Sequence, residues 1–369
     1  MFQKRFWKNF DLILLVVTLL LTSVGILVLY SIRFHATDVG SSVDVRNQII
    51  FTLGGLIGLF VAARIDYRTW AKFTAPLYGL MLMLLIIVML AGKSALGATR
   101  WINLGFFQFQ PSELAKLVLI IVLARFFADH YEQMDQPRYM IASVLYLILP
   151  LGLVLGQPDL GTAMVLGVVW LAMILMTKIP KYYFLIAAAL AVVMFPIGYR
   201  FLGAYQKARL AVFLHPAADP QGRGFNVLQS TIAVGSGQIF GRGLAAGSQS
   251  QLNFLPSQHT DFIFAVLAEK LGLIGGILLL FLFGLMLSRG LLIAYRAQDR
   301  FGMFLAIGLV SMFFFHVFIN VGMNMGIMPV TGIPLPFISY GGTSLIIGLI
   351  GVGLLESINV RRKKLEFGN

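Results

Sequence analysis

The sequence contains no cysteine and few charged residues, and both shortages restrict what the protein does. Without cysteine, disulfides and thiol catalysis are excluded. Only 12% of the 369 residues are charged, whereas a soluble domain carries about 25%. Hydrophobic residues make up 59% of the chain, and many lie in blocks close to the ~20 residues that a helix needs to cross a bilayer. The composition therefore predicts a polytopic membrane protein.

The apolar blocks lack the strict alternation of β-barrel strands, so we predict an all-α fold. The first block follows three basic residues but is too long for a signal peptide, and we interpret it as a retained span. The whole chain, 1–369, is predicted to form one integral membrane domain. Its ten predicted transmembrane helices cover residues 11–32, 47–63, 73–91, 112–128, 141–156, 160–177, 181–202, 261–288, 302–323 and 341–359.

The basic residues predict the orientation of these helices. Most of the 28 Lys and Arg residues fall in loops that share a side with both termini, and basic loops face the cytoplasm. The net charge of +13 is therefore attributed to topology, and nucleic acid is not an expected partner. The longest loop, 203–260, then faces outward. Within it, the run YQKARLAVFL predicts a short helix on the membrane surface, with Lys207 on its polar side.

Ionisable residues at membrane depth are costly and tend to be functional. Glu113 and Lys116, at the start of the fourth span, are three residues apart and share a helix face. They form either a self-neutralising structural pair or a charged floor under a substrate site. Asp159 lies in the tight turn between the fifth and sixth spans, where it fits either a helix cap or a part of that site.

The triplet His259, Thr260 and Asp261 stands where the long loop meets the eighth span. A Thr cap with Asp in the first turn is ordinary helix-start chemistry, but its place at the end of the longest outer loop favours a functional role. No second histidine stands at metal-ligand spacing, so metal binding by His259 is not predicted. Glu269 and Lys270 are expected about 12–14 Å deeper in the same helix, at 1.5 Å per residue.

Three polar residues of the ninth span, His316, Asn320 and Asn324, recur every four positions and share one face. We predict that this face makes hydrogen bonds to neighbouring helices. The next segment, MPVTGIPLPFISYGGTS, is interrupted by Pro and Gly, so we expect it to line a cavity or to pack within the protein. The glycine-rich run GSGQIFGRG follows no strand and is not interpreted as a nucleotide-binding loop.

These residues place one carboxylate base beside several cationic groups on the outer side. Arg46, Arg100, Lys207 and Arg209 contribute positive charge there. Such a site suits an anionic, lipid-linked substrate whose phosphates are held by Lys or Arg. The carboxylate would take a proton from a nucleophile.

Four sequence blocks resemble the SEDS family (shape, elongation, division and sporulation proteins) and follow the family's order over nearly the whole chain. They are GFFQFQPSELAKL, GQPDLGTA, FLPSQHTDFIFAVLAEKLG and GIPLPFISYGGTS. SQSQLNFLP and Pro334 favour the elongation-phase branch over the division-phase branch. The resemblance implies a ten-span fold and a peptidoglycan glycosyltransferase. Its substrate would be lipid II, an undecaprenyl-diphosphate-linked disaccharide-pentapeptide, at the outer face of the bacterial cytoplasmic membrane.

The resemblance also implies roles for individual residues. The family's catalytic carboxylate corresponds to Asp261. The candidate substrate-binding residues are Glu113, Lys116, Arg100, Arg46, Asp159, His259, Thr260 and Lys207. The chain departs from the family at Ser257 and Gln258, where a Glu is commoner, and at Lys270, where a second acidic residue is usual.

The implied partners are lipid II and the growing undecaprenyl-diphosphate-linked glycan, a class B penicillin-binding protein that cross-links the strands, other rod-complex membrane proteins and membrane lipids. No cofactor is predicted; a divalent cation, Mg or Mn, is often invoked for the family, but no ligand set identifies it here. Two other functions stay open at this point. Ten spans with charged groups in the membrane also suit a lipid II flippase, and the chain would also serve as a non-catalytic scaffold for the penicillin-binding protein.

Overall fold

Helices form most of the structure, a computed structural model. It describes residues 7, 9–32, 41–91, 93–95, 98–103, 105, 108–180, 182–183, 200, 207, 211–213, 223–244, 247, 250, 255 and 257–362. In chain order the α-helices discussed below are α1 (Leu12–Ile32), α2 (Ser41–Arg64), α3 (Tyr67–Lys72), α4 (Thr74–Ala91), α5 (Pro111–Asp129), α6 (Pro137–Gly156), α7 (Leu160–Leu175), α8 (Arg223–Ser236), α9 (Ile263–Tyr295), α10 (Arg300–Asn324) and α11 (Gly342–Val360).

A described helix coincides with each predicted span except the seventh. That span, 181–202, lies outside the described residues apart from 182, 183 and 200. Among the described helices, six are long and apolar enough to cross a membrane, namely α1, α2, α6, α9, α10 and α11. Helices α4 and α7 are shorter and also apolar. The prediction of a polytopic helical membrane protein is therefore confirmed.

The helices differ in how much of their surface lies inside the protein. In α10 and α11, 67% and 72% of the apolar stretch is buried, against 17% in α6. Helix α5 is buried along most of its length and packs on α4, α7 and α10. We conclude that α5 and α10 form the centre of the bundle, while α6 presents its apolar side chains to lipid.

Three short strands occur between α4 and α5, which the all-α prediction did not include. They are β1 (Lys93–Ala95), β2 (Ala98–Asn103) and β3 (Gln108–Phe109), joined in the antiparallel order β1-β2-β3. Strands of two to six residues are too short to produce a detectable alternating pattern. This sheet brings Arg100, in β2, toward the start of α5.

The prediction of one continuous eighth span is wrong at Gly272. There φ is +66° and ψ is −165°, a conformation that essentially only glycine adopts. The break divides α9 into the segments 263–271 and 273–295. The backbone groups that it releases pair with the turn 238–243 through hydrogen bonds from Arg242 N to Glu269 O, Gly243 N to Lys270 O, Leu273 N to Gln238 O and Ile274 N to Ile239 O, with distances of 2.8–3.2 Å.

Two buried charges, Glu269 and Lys270, lie in the helical segment that precedes the break. Lys270 Nζ donates to the carbonyl of Ser31, in the last turn of α1, at 2.9 Å, and to the carbonyl of Leu244 at 2.8 Å. Glu269 Oε2 accepts from the backbone N–H of Ser250 at 3.0 Å. These two side chains therefore attach the outer loop to the end of α1.

Candidate functional site

The triplet 259–261 forms a turn directly before α9, and the Thr–Asp helix cap that was the alternative to a functional role is not present. The cap residue is Phe262, and this helix start has no side-chain cap hydrogen bond. Thr260 Oγ1 instead donates to the carbonyl of Ser257 at 3.3 Å. Asp261 stays partly exposed, while the other acidic residues of the four motifs, Glu113, Asp159 and Glu269, are at most 4% exposed.

Asp261 lies at the end of α10 opposite the basic loops. Its carbonyl accepts from Asn320 and Asn324, in the last two turns of α10. At the other end of α10, Asp299 pairs with Arg68, in the short helix α3 of the basic connection between α2 and α4. The 25 residues of α10 correspond to about 36 Å at 1.5 Å per residue. The triplet therefore lies on the side that the charge bias assigns to the exterior.

Glu113, Lys116 and His316 form a buried polar cluster between α5 and α10. Lys116 Nζ donates to Glu113 Oε1 at 2.8 Å and lies 3.1 Å from His316 Nε2. Because lysine only donates, His316 Nε2 is the acceptor, and the ring proton is on Nδ1. The ring also hydrogen-bonds to the backbone of Pro334, which has only an acceptor. The prediction that Glu113 and Lys116 pair on one helix face is confirmed.

A small cavity adjoins this cluster. Its lining includes Glu113, Lys116, His316, Phe337 and Ser344. Lysine has three N–H donors, and two of those on Lys116 have partners among the described residues. The third donor is therefore available for a water molecule or a ligand group in the cavity.

The predicted polar face of α10 is confirmed as an interhelical hydrogen-bonding surface. His316 contacts the cluster on α5, and Asn320 Nδ2 donates to the carbonyl of Ile333 at 2.8 Å. Asn324 Oδ1 accepts from the backbone N–H of Ala265 at 3.1 Å. One face of α10 thus joins the Glu113–Lys116 pair, the 333–341 segment and the start of α9.

The segment 333–341 packs within the protein and includes residues that sequence reasoning did not select. Ser339 Oγ donates to the carbonyl of Thr260, and Tyr340 N donates to the carbonyl of His259. Gln48, buried on α2, donates to the carbonyl of Ser339 at 3.2 Å. The Pro- and Gly-rich composition indicated a packed irregular segment, but it gave no signal that Ser339 reaches the triplet or that Gln48 binds Ser339.

Asp159 caps α7, as one of its two interpretations predicted. Its Oδ1 accepts from Thr162 N at 3.2 Å, and its Oδ2 accepts from Thr162 Oγ1 at 2.9 Å and from Ser112 Oγ at 3.3 Å. Arg100 holds the same turn by donating to the carbonyls of Gln157 and Pro158. Asp159 thus contacts the start of α5 through Ser112, and substrate binding by Asp159 or Arg100 stays a prediction.

The two other candidate cations are Arg46 and Lys207. Arg46 is exposed near the start of α2, two residues before Gln48. Lys207 is partly exposed, and its Nζ donates to the carbonyl of Arg200 at 3.0 Å. The predicted surface helix 205–214 lies outside the described residues apart from 207 and 211–213. Contact of either cation with substrate stays a prediction.

A divalent cation finds no ligand set in the described part of the chain. Within those residues, no group of three or more His, Asp or Glu side chains is placed to hold a metal ion.

Comparison with known proteins identifies the family. The family model of the FtsW/RodA/SpoVE cell cycle proteins matches residues 11–364. The chain belongs to the FtsW/RodA/SpoVE family. This is the SEDS family that the four sequence blocks indicated, and the match covers every candidate site residue.

Relatives of this FtsW/RodA/SpoVE family member carry enzyme names. The peptidoglycan glycosyltransferase MrdB of Escherichia coli (strain K12) is 40% identical over 99% of this chain and 98% of its own length. The peptidoglycan glycosyltransferase RodA of Treponema pallidum is 34% identical over 96% of this chain and 98% of its own length.

Solved structures of the family have the same fold. One, described as the structural coordination of polymerization and crosslinking by a peptidoglycan synthase complex, matches with a TM-score of 0.80 and 32% identity over 95% of this chain and 97% of that one. The rod shape determining protein RodA of Thermus thermophilus matches with a TM-score of 0.70 and 29% identity over 96% of this chain and 98% of that one. The chain is therefore a multi-pass protein of the bacterial inner membrane.

Proposed function

We propose that this family member is a peptidoglycan glycosyltransferase that polymerises lipid II at the outer face of the cytoplasmic membrane during cell elongation. Membership of the family along the whole chain and the names of its relatives support the reaction class. The single observation that carries the assignment of the base is the partial exposure of Asp261, in contrast to the burial of Glu113, Asp159 and Glu269. A general base must reach the proton that it removes.

In the proposed reaction, Asp261 takes the proton from the 4-hydroxyl of the GlcNAc of an incoming lipid II. The hydroxyl oxygen forms a bond to the anomeric carbon of the growing strand. The bond from that carbon to the diphosphate oxygen breaks, and undecaprenyl diphosphate leaves with the electron pair. Because attack and departure occur on opposite faces of the sugar, the anomeric configuration is inverted.

The leaving diphosphate needs positive charge, which the site supplies. Lys116 is held by Glu113 and His316, lines the small cavity and has a third N–H donor for a further partner. Preorganised cations in a water-poor site stabilise developing negative charge without reorganisation. Lys116 is therefore the first candidate to hold the diphosphate, and Arg46, Arg100 and Lys207 are further candidates.

The proposed partner is a class B penicillin-binding protein that cross-links the strands made here. A solved relative is described as part of a complex that coordinates polymerization with crosslinking, which supports such a pairing. Contact with other rod-complex proteins belongs to the same proposal.

The test is polymerisation of lipid II by purified protein, alone and with the penicillin-binding partner. Asp261→Asn should lower kcat by about 10²–10⁴-fold, the usual contribution of a general base, while the protein stays folded by thermal unfolding. Asp129→Asn is the matched control, because Asp129 pairs with Arg125 at the far end of α5 and is 40% exposed. Full polymerisation by Asp261→Asn would refute the proposal. Lipid translocation in liposomes without any glycan product would support a flippase instead.

A further inference from the structure

The three consecutive backbone carbonyls of the triplet accept hydrogen bonds from four donors, and no donor is shared between two of the carbonyls. The carbonyl of His259 accepts from Tyr340 N at 2.8 Å, and that of Thr260 accepts from Ser339 Oγ at 2.6 Å. The carbonyl of Asp261 accepts from Nδ2 of Asn320 at 3.1 Å and from Nδ2 of Asn324 at 3.0 Å. We call this set of donors the carbonyl clamp: Asn320, Asn324, Ser339 and the backbone N–H of Tyr340.

The donors of the carbonyl clamp are themselves fixed. Ser339 is 5% exposed, and its Oγ accepts from the backbone N–H of Leu335 at 2.8 Å. Asn320 and Asn324 are fully buried, and Asn324 Nδ2 also donates to the carbonyl of Asn320 at 2.8 Å. Asn324 Oδ1 accepts in addition from Ser230 Oγ at 3.3 Å. Helices α8 and α10 and the 333–341 segment thus meet at one short turn.

Satisfying buried carbonyls is needed for stability in any membrane protein. The carbonyl clamp also restricts the conformation of the turn. Three of its four donors are side chains, and they donate to the successive carbonyls of Thr260 and Asp261. Fixing three successive carbonyls fixes the peptide planes on both sides of the Asp261 Cα. The direction of the Cα–Cβ bond, and with it the reach of the carboxylate, is then determined by residues outside the turn.

We propose that Ser339, Asn320 and Asn324 are positioning residues that aim the Asp261 carboxylate at the acceptor hydroxyl. This inference rests on the proposed function, in which Asp261 is the general base. None of the three donors needs to touch the substrate, because each acts on the backbone of the triplet. A displacement of about 1 Å at a reacting group costs about 10²-fold in rate, so the loss of one donor should lower kcat and leave KM nearly unchanged.

The central test compares two substitutions at one position. Ser339→Ala removes the donor to the carbonyl of Thr260, and Ser339→Thr keeps the hydroxyl. The kcat of Ser339→Ala should fall by about 10²-fold, with KM within about 3-fold of the wild-type value, and Ser339→Thr should restore most of the rate. Rates are expressed per molecule that binds fluorescent lipid II, because a folding defect alone reduces the number of binding molecules but not the rate of each one.

The matched control is Ser143→Ala. Ser143 is also buried, and its hydroxyl accepts from Trp170 Nε1 at 3.1 Å, between α6 and α7. Removing it deletes two hydrogen bonds of one buried serine hydroxyl, to the carbonyl of Met140 and from Trp170, without touching the triplet, so the rate per binding molecule should not change. A similar loss in Ser143→Ala and Ser339→Ala would overturn the positioning role.

Asn320→Ala is a second test, in case Ser339→Ala does not fold. Asn324 still donates to the carbonyl of Asp261 in this variant, so the expected loss in kcat is smaller, about 10-fold, since part of the positioning is retained. Wild-type kcat per binding molecule in Asn320→Ala and Ser339→Ala would overturn the inference. If Asp261→Asn is inactive in the same assay, the proposed function survives that result; if Asp261→Asn is fully active, the proposed function itself fails.

Discussion

Gly272 and Gly241 are in direct backbone contact. A Cβ atom on Gly272 would overlap the backbone nitrogen of Gly241, and one on Gly241 would overlap the carbonyl of Lys270. Close packing of this kind accounts for two glycines of the run 235–243, Gly241 and Gly237, whose added Cβ would overlap the carbonyl of Ala268. The turn 238–243 pairs with the backbone groups that the break in α9 releases. The outer loop and the helix that follows Asp261 are therefore joined through backbone atoms, with no room for side chains.

The contact predicts different effects for two glycines of the same helix. Gly272→Ala should destabilise the protein by at least about 2 kcal/mol, because this backbone conformation alone costs a residue other than glycine about 1–3 kcal/mol and the overlap adds to it. Gly284→Ala should be neutral or should stabilise by about 0.5–1 kcal/mol, because no atom lies within 4 Å of its added Cβ. Thermal unfolding in detergent measures both. Equal melting temperatures would contradict the assignment of the break.

The buried pair of Glu113 and Lys116 predicts non-additive effects on stability. Lys116→Met leaves the Glu113 carboxylate buried without its cation, which should cost about 3–5 kcal/mol. The double variant Glu113→Leu, Lys116→Met should recover most of that loss, because replacing both members of a buried pair is often close to neutral. Polymerisation should be lost in the single and double variants, since both lack the cation proposed to hold the diphosphate. A double variant that unfolds as easily as Lys116→Met would show that the pair is not coupled.

The two interpretations of Asp159, a helix cap and a substrate-binding residue, predict different effects of removing its carboxylate. Its carboxylate accepts from the backbone N–H and the hydroxyl of Thr162 and from Ser112, and it is 3% exposed. Asp159→Ala should therefore destabilise the protein by about 2 kcal/mol, the upper end for a helix cap, and the KM for lipid II should stay constant. A raised KM with unchanged thermal stability would instead support the substrate-binding role.

Asp299, on the cytoplasmic side, is expected to make the free energy of unfolding depend on pH. Burial raises the pKa of Asp299, but hydrogen bonds from Gly302 N, Tyr67 Oη and Arg68 Nε outweigh it, and the pKa lies below its usual value. A lowered carboxyl pKa stabilises the folded state above the unfolded pKa of about 3.9. That stabilisation is lost as the pH falls through the folded pKa.

Asp299→Asn should therefore unfold at a lower temperature than the wild type at pH 7, and the difference should shrink as the pH falls below about 4. Thermal unfolding across this pH range measures the effect, with Asp129→Asn as the control for an exposed surface pair, which contributes about 0–1 kcal/mol. A difference that stays constant down to pH 3 would contradict the role of the ionised carboxylate.

Several parts of the site follow directly from sequence periodicity. The spacing of three residues between Glu113 and Lys116 is enough to place them on one helix face, and the spacing of four residues does the same for His316, Asn320 and Asn324. The pairing and the interhelical bonds that this predicted are present. Periodicity failed at Gly272, because an apolar run has the same pattern whether the helix continues or breaks, and the break depends on a turn from elsewhere in the chain.

The sequence by itself determined the polytopic membrane character, the orientation and the family motifs, because hydrophobic length, basic loops and short-range spacing are local properties of the chain. Only the tertiary structure decided that Phe262 and not Thr260 occupies the cap position and that Asp261 stays partly exposed. It also decided that Ser339, 78 positions after Asp261, reaches the triplet. Hydrogen bonds between distant segments depend on how helices pack, and no local pattern encodes them.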